Sequence, residues 1–201
     1  YAINNNGGAL IVMVDNVTAT TGDAIYAYNT ATGYAAGPLS ITATGAVSGG
    51  DDGIHAENRG YSLLTVDATN PYGTASVNGQ NYGIFANNPD GYGIVISANS
   101  VTGTTADGIY ANANAVTGSS PVSIATTGAV TGGQYGIRAL NQGGFEVSIA
   151  ATNTDGTATV LGGTTGIYAI NEGGGALSIT ADTVTGTGDD GIFALNDASG
   201  T

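Results

Sequence analysis

The chain has 201 residues, 35 of them Gly, with no Cys or Trp and only two basic side chains against fifteen acids, a formal charge of −13. Two Arg (Arg59 and Arg138) cannot neutralise a phosphate backbone or hold an anionic bilayer, which excludes nucleic acid and acidic membrane surfaces as partners. No apolar run approaches the roughly 18–20 residues of a membrane-spanning helix, so the segment is not membrane-embedded. Yet 41% of residues are apolar and recur at fixed places, unlike a disordered Gly/Thr/Ser/Asn tract.

In chain order the first element is "YAINNNGGAL", which returns as "YAINEGGGAL" from Tyr168. It reads as the middle of a phrase that comes complete at "GDAIYAYNT", then at "DDGIHAENR", "YGIFANNPD", "DGIYANANA", "YGIRALNQG", "TGIYAINEG" and "GDDGIFALND". The anchoring residues are Ile25, Ile54, Ile84, Ile109, Ile137, Ile167 and Ile192, spaced by 29, 30, 25, 28, 30 and 25 residues. Between anchors lie two further strand-like stretches. One is of the type "PLSITATGAVSGG" from Pro38, which reappears as "PVSIATTGAVTGG" from Pro121. The other is a short Val-Thr-Gly type holding Val17, Val47, Val77, Val101, Val130 and Val184, with Val160 or Leu161 filling the remaining place. "NPYGTASV" from Asn70 is answered by "NTDGTATV" from Asn153, 83 positions on. The larger unit is therefore a triplet of coils, 83–84 residues long.

Apolar and polar residues alternate, as in "LSITA" from Leu177, and Gly punctuates segments rich in Val, Ile, Thr and Tyr. That is strand patterning, not the i, i+3, i+4 spacing of helices. A period of 25–30 residues means that no coil buries its own apolar face, and stacked neighbours must do so. The expected fold is a single all-β domain over residues 1–201, a parallel β-helix (β-solenoid) of three faces and about seven to eight coils. The preference of parallel crossovers makes it right-handed. Coils spaced by about 4.8 Å give a rod about 35 Å long. With no signal peptide and a chain that starts and stops inside the phrase, it reads as a fragment of a longer repeat protein.

Alternation assigns the faces. With the anchor Ile inward, the residue two later is inward too, and is Ala in every copy: Ala2, Ala27, Ala56, Ala86, Ala111, Ala139, Ala169 and Ala194. Two further stands Asn4, Asn29, Asn58, Asn88, Asn141, Asn171 and Asn196, interrupted only by Ala113. This column reads as a structural ladder, bonding side chain to side chain and capping the bend. The outward residue after each anchor is Tyr1, Tyr26, His55, Phe85, Tyr110, Arg138, Tyr168 and Phe193. Tyr28 lies in the adjacent outward column. The aromatics among these (Tyr1, Tyr26, Tyr28, Phe85, Tyr110, Tyr168 and Phe193) make a stripe. It serves as stacking between coils or as an interaction surface.

"DGIYANANA" and "VTGTGDDGIFALND", in a Cys-free, Lys-poor, Gly/Asn/Thr-rich chain, resemble the repetitive passenger segments of bacterial autotransporters and related large surface adhesins. The resemblance runs over the whole chain. It implies secretion through an outer-membrane β-barrel and display on a Gram-negative cell surface or in an extracellular matrix. It implies a non-enzymatic role as spacer or adhesin, with a self-assembling matrix fibre as the alternative. The partners it implies are further copies, end to end or lateral, or host and environmental glycans and proteins.

Other chemistries fit less well. Pectate lyases are similar in fold class only and depend on basic residues nearly absent here. A hydrolase needs two carboxylates about 5–9 Å apart with perturbed pKa values. Asp51–Asp52 and Asp189–Asp190 are sequence neighbours pointing to opposite sides, so no catalytic residue is expected. His55 is the only histidine and there is no Cys, which argues against a transition-metal site and any cofactor. Calcium in the Asp–Gly turns is the residual alternative, although neither the Ca²⁺-binding nonapeptide nor the EF-hand loop occurs. An ice-binding Thr array would need one regular column. Aligning the coils puts Thr42, Leu64, Val95, Ser123, Ser148 and Thr180 together, which is broken.

Overall fold

A computed structural model describes residues 1–33, 36–114, 120–143, 145–172 and 174–197. The described residues form 22 β-strands and no helix. The strands sort into three sheets, one of eight strands and two of seven. Each sheet takes every third strand of the chain, and every pairing is parallel. This is the three-faced β-solenoid expected from the repeat.

The first sheet carries the anchor phrase, from Ala2–Asn4 and Ile25–Gly33 through Thr165–Glu172 and Ile192–Asp197. Its register matches the repeat: Ile54, Ile84, Ile109, Ile137 and Ile167 are successive partners, as are Ala56, Ala86, Ala111, Ala139 and Ala169. Those Ile and Ala are buried, and with Leu39, Ile41, Leu64, Val66, Ile94, Ile96, Ile124, Ile149 and the third-sheet Val column they make one continuous aliphatic core. A fully buried Ile or Leu contributes about 1.5–3 kcal/mol, and each coil adds several. Only stacking removes them from water, so stability accumulates coil by coil. Val160, not Leu161, occupies the third-sheet core: it pairs with Val130 and Val184, while Leu161 lies 38% exposed beside Thr131 and Thr185.

The bends are built from repeated contacts. At the end of the third-sheet strands, Gly49, Gly79, Gly103, Gly132, Gly162 and Gly186 form a column. A Cβ on Gly132 would sit 1.8 Å from the Tyr135 carbonyl oxygen, and one on Gly79 1.8 Å from that of Tyr82. The chain turns so tightly here that only Gly fits. Between the second and third sheets, Asn70 accepts the N–H groups of Tyr72 and Thr74 and donates to the Thr44 carbonyl in the coil below. Asn153 repeats each contact with Asp155, Thr157 and Thr127. The 83-residue super-repeat is thus a repeat of contacts as well as letters.

The Asn column caps more than it ladders. Asn29 donates to the Gly37 carbonyl, Asn88 to those of Ser62 and Gly93, and Asn141 to that of Phe145. Side chain to side chain, the described ladder bond is Asn171 to Asn196, at 3.2 Å. The chain leaves the first sheet at this corner, where the Asn amides donate to its carbonyls in addition to the backbone N–H groups that reach Ser62 and Gly93. A buried amide supplies the further donor.

The second sheet corrects the alignment of its outer columns. Leu64 is fully buried, in register with Leu39, Ile94 and Val122. The outward columns are Ile11, Ser40, Thr65, Val95, Ser123, Ser148, Ser178 and, separately, Met13, Thr42, Asp67, Ser97, Ala125, Ala150, Thr180. Thr42 and Thr180 therefore share one column, whereas Val95, Ser123 and Ser148 occupy the other. Leu64 is one position out of step, which changes its face, whereas Thr42 and Thr180 are two positions out of step and stay on the outer face. Neither column is a Thr array.

Candidate functional site

The outer wall of the first sheet carries the predicted stripe as a physical stack. Tyr1 and Tyr26 rings lie 4.8 Å apart at 8°, Tyr26 and His55 5.0 Å apart, His55 and Phe85 4.6 Å, Phe85 and Tyr110 5.0 Å, and Tyr168 and Phe193 4.8 Å. The distances follow from the strand spacing of about 4.8 Å, which places successive outward side chains at ring-stacking distance. Tyr28 stands beside the column, edge-on to Tyr26, under the Arg59 guanidinium that also pairs with Glu57. The stack uses up ring faces and presents ring edges to solvent. Sugars dock on open faces, so a continuous stack is a poor glycan platform.

The two non-aromatic members of the column are where charge enters. His55 and Arg138 stand 83 residues apart, and each lies one coil above an acid two residues before the preceding anchor: Asp23 under His55, Asp107 under Arg138. That column two before the anchor runs Asp23, Asp52, Tyr82, Asp107, Tyr135, Thr165, Asp190. It points into the corner beside the stack.

Asp107 is fully buried. The Arg138 Nε lies 2.8 Å from its Oδ2, an ionic contact without the alignment of a hydrogen bond. The guanidinium is clamped over the rings of Tyr110 at 4.6 Å and Tyr135 at 5.0 Å. Burial pushes the Asp107 carboxyl up to about 6, a rise that the Arg138 charge opposes without cancelling. By leaning down onto Tyr110, Arg138 interrupts the stack. A shallow cavity of about 270 Å³ remains between it and Tyr168, bordered by Tyr135, Leu140 and Glu172.

Around His55 the arrangement has one more acid. Its Nδ1 lies 2.9 Å from Asp52 Oδ2. Asp52 Oδ1 accepts the Tyr82 N–H, and Asp23 Oδ1 accepts the Asp52 N–H. Ligating atoms of Asp23, Asp52 and His55 all lie within 4.8 Å of one another. Burial of the ring works against its charge, but the Asp52 hydrogen bond and the charges of Asp52, Asp23 and Glu57 outweigh it and hold the imidazole above its ordinary range.

Asp51 and Asp52 do face opposite ways, Asp51 exposed and Asp52 buried. The sequence alone does not single out the buried carboxylates of Asp52 and Asp107. The available clue was positional, an acid two before an anchor with a base one after the next. Asp189 and Asp190 are exposed. No family model, curated protein or solved structure matches this chain.

Proposed function

We propose that this chain is a segment of an extracellular rod whose work is mechanical, a surface-displayed spacer or adhesin segment without catalytic activity. The observation that carries this reading is the parallel stacking of all three sheets, coil on coil, with the aromatic rings of the first sheet stacked between coils. Its charge of −13 keeps the rod soluble and repels other anionic surfaces. Cys-free, Gly/Asn/Thr-rich composition supports the bacterial cell surface as its place, with export of the passenger type. The function needs no cofactor. Its partners are neighbouring rods, end to end or lateral, and host or environmental proteins or glycans.

A second reading, a self-assembling matrix fibre, is favoured by the parallel strand edge that any coil offers to the next. Replacing Tyr26, Phe85, Tyr110, Tyr168 and Phe193 by Thr separates the roles of the stripe. The rod reading expects a melt lowered by many degrees, with no loss of self-association or of binding on a glycan array. Lost association or binding with an unchanged melt would make the stripe a contact surface.

A further inference from the structure

The two super-repeats solve one electrostatic problem in different ways, and the difference points to a ligand. In the second, the acid beneath the column (Asp107) faces a permanent cation: Arg138 brings one positive charge to one carboxylate. In the first, the acid beneath (Asp23) faces His55, and a second carboxylate, Asp52, stands where the second super-repeat has Tyr135. Two carboxylates then share one imidazole in place of a permanent guanidinium, their ligating atoms within 4.8 Å of its ring nitrogen. Asp51 and Glu57 add negative charge close by, and of the chain's two Arg the neighbouring one, Arg59, is taken by Glu57. This corner gathers two carboxylates around one imidazole and has no guanidinium of its own.

We propose that Asp23, Asp52 and His55 form a binding site for a divalent transition-metal ion of the Zn²⁺ class. The donors are an imidazole nitrogen and two carboxylate oxygens, a set that suits Zn²⁺ better than Ca²⁺. The ion replaces the proton shared by His55 Nδ1 and Asp52 Oδ2 and takes the Asp23 oxygen that the Asp52 N–H does not occupy. The site is pre-organised by its surroundings. His55 is held between the Tyr26 and Phe85 rings at 5.0 and 4.6 Å. Each carboxylate is fixed by a backbone N–H from the following coil, at 3.0 Å for Asp23 and 3.1 Å for Asp52. Such outer contacts orient ligands and strengthen binding. The three residues come from two successive coils, so the ion would staple one coil to the next. Water completes the coordination on the solvent side. The inference does not depend on the rod's role: a metal staple is compatible with any use of the solenoid.

The chain's single histidine makes the test direct, because its two ring nitrogens are the only imidazole signals in a ¹⁵N spectrum. Chelator-treated protein is titrated with ZnCl₂ and followed by that spectrum and by calorimetry. The expected result is one ion per chain and a displaced His55 Nδ1 resonance. Affinity should fall roughly tenfold or more in both His55→Phe and Asp23→Asn and stay unchanged in Asp189→Asn. His55→Phe keeps a ring in the stack, and Asp23→Asn offers a second variant should the first fold poorly. Zn²⁺ binding of equal strength in all variants, an unmoved His55 signal, or CaCl₂ binding as tight as ZnCl₂ would overturn the proposal and leave an acidic surface collecting ions.

Discussion

Asp107→Asn isolates the electrostatic cost of the second charged corner. The carboxyl of Asp107 rises from 3.8 to about 6 in the folded chain because burial costs it more than Arg138 returns. A folded pKa above the unfolded one means that the native state binds the extra proton, so this group favours folding in acid and loses that contribution as pH rises through 6. At 1.36 kcal/mol per pH unit, the swing between pH 3 and pH 7.5 amounts to about 3 kcal/mol. The quantity to follow is the difference in unfolding free energy between the wild type and Asp107→Asn, by urea denaturation across that pH range. Every other titrating group, His55 included, cancels in it. The difference should move against the wild type by about 3 kcal/mol, most of it between pH 4 and 6.5. A flat difference would mean that Asp107 is solvated. A difference moving the opposite way would mean that Arg138 dominates and the corner is a stabilising ion pair.

The remaining predictions concern the same repeat. Arg138→Phe completes the aromatic stack yet strands the Asp107 charge, so at pH 8 it destabilises by about 3–5 kcal/mol, and adding Asp107→Asn recovers most of the loss in a double-mutant cycle of melts. Phe85→Thr removes two stacked contacts, with His55 and Tyr110, and lowers stability by about 1–3 kcal/mol by denaturant titration. Asn88→Ala removes two buried amide hydrogen bonds, to the Ser62 and Gly93 carbonyls, which keep the N–H groups of Tyr92 and Leu64, and costs about 1–2 kcal/mol, measured the same way. Gly132→Ala places a Cβ against the Tyr135 carbonyl and costs about 3 kcal/mol, the upper end of overpacking penalties, read as a lowered melting temperature by circular dichroism.

The fold was legible because the chain writes its register in identities. Ile, Ala and Asn recur at fixed offsets in the anchor phrase, and the paired strands put those same residues opposite one another. The second sheet lacks such landmarks: its inward places vary among Leu, Ile and Val, and Ala and Thr occur on both faces. A one-residue slip there left nothing visibly wrong, and Leu64 was placed outside. The charged corners were harder for another reason. Asp107 and Arg138 are 31 positions apart, and their contact exists only once the coil length is known. Asp52 looks like any residue of a Gly-rich turn until its carboxylate is seen under the His55 ring. Single letters name turn chemistry well, but they do not show which turns face a neighbour's base.

The super-repeat also sets the terms on which such a rod can change length. Removing or duplicating one coil would bring Asp107 beneath a ring, or Arg138 above Phe85 in place of its acid. Removing or duplicating three coils together, 83–84 residues, keeps each charged member of the outer column above its acid and returns the Gly column to register. Recombination between copies can therefore lengthen or shorten the rod in whole steps of about 14 Å, three strand spacings, with an acid still meeting a base at the junction. Reach becomes a countable trait, adjustable in the genome by copy number while the chemistry of each coil stays fixed.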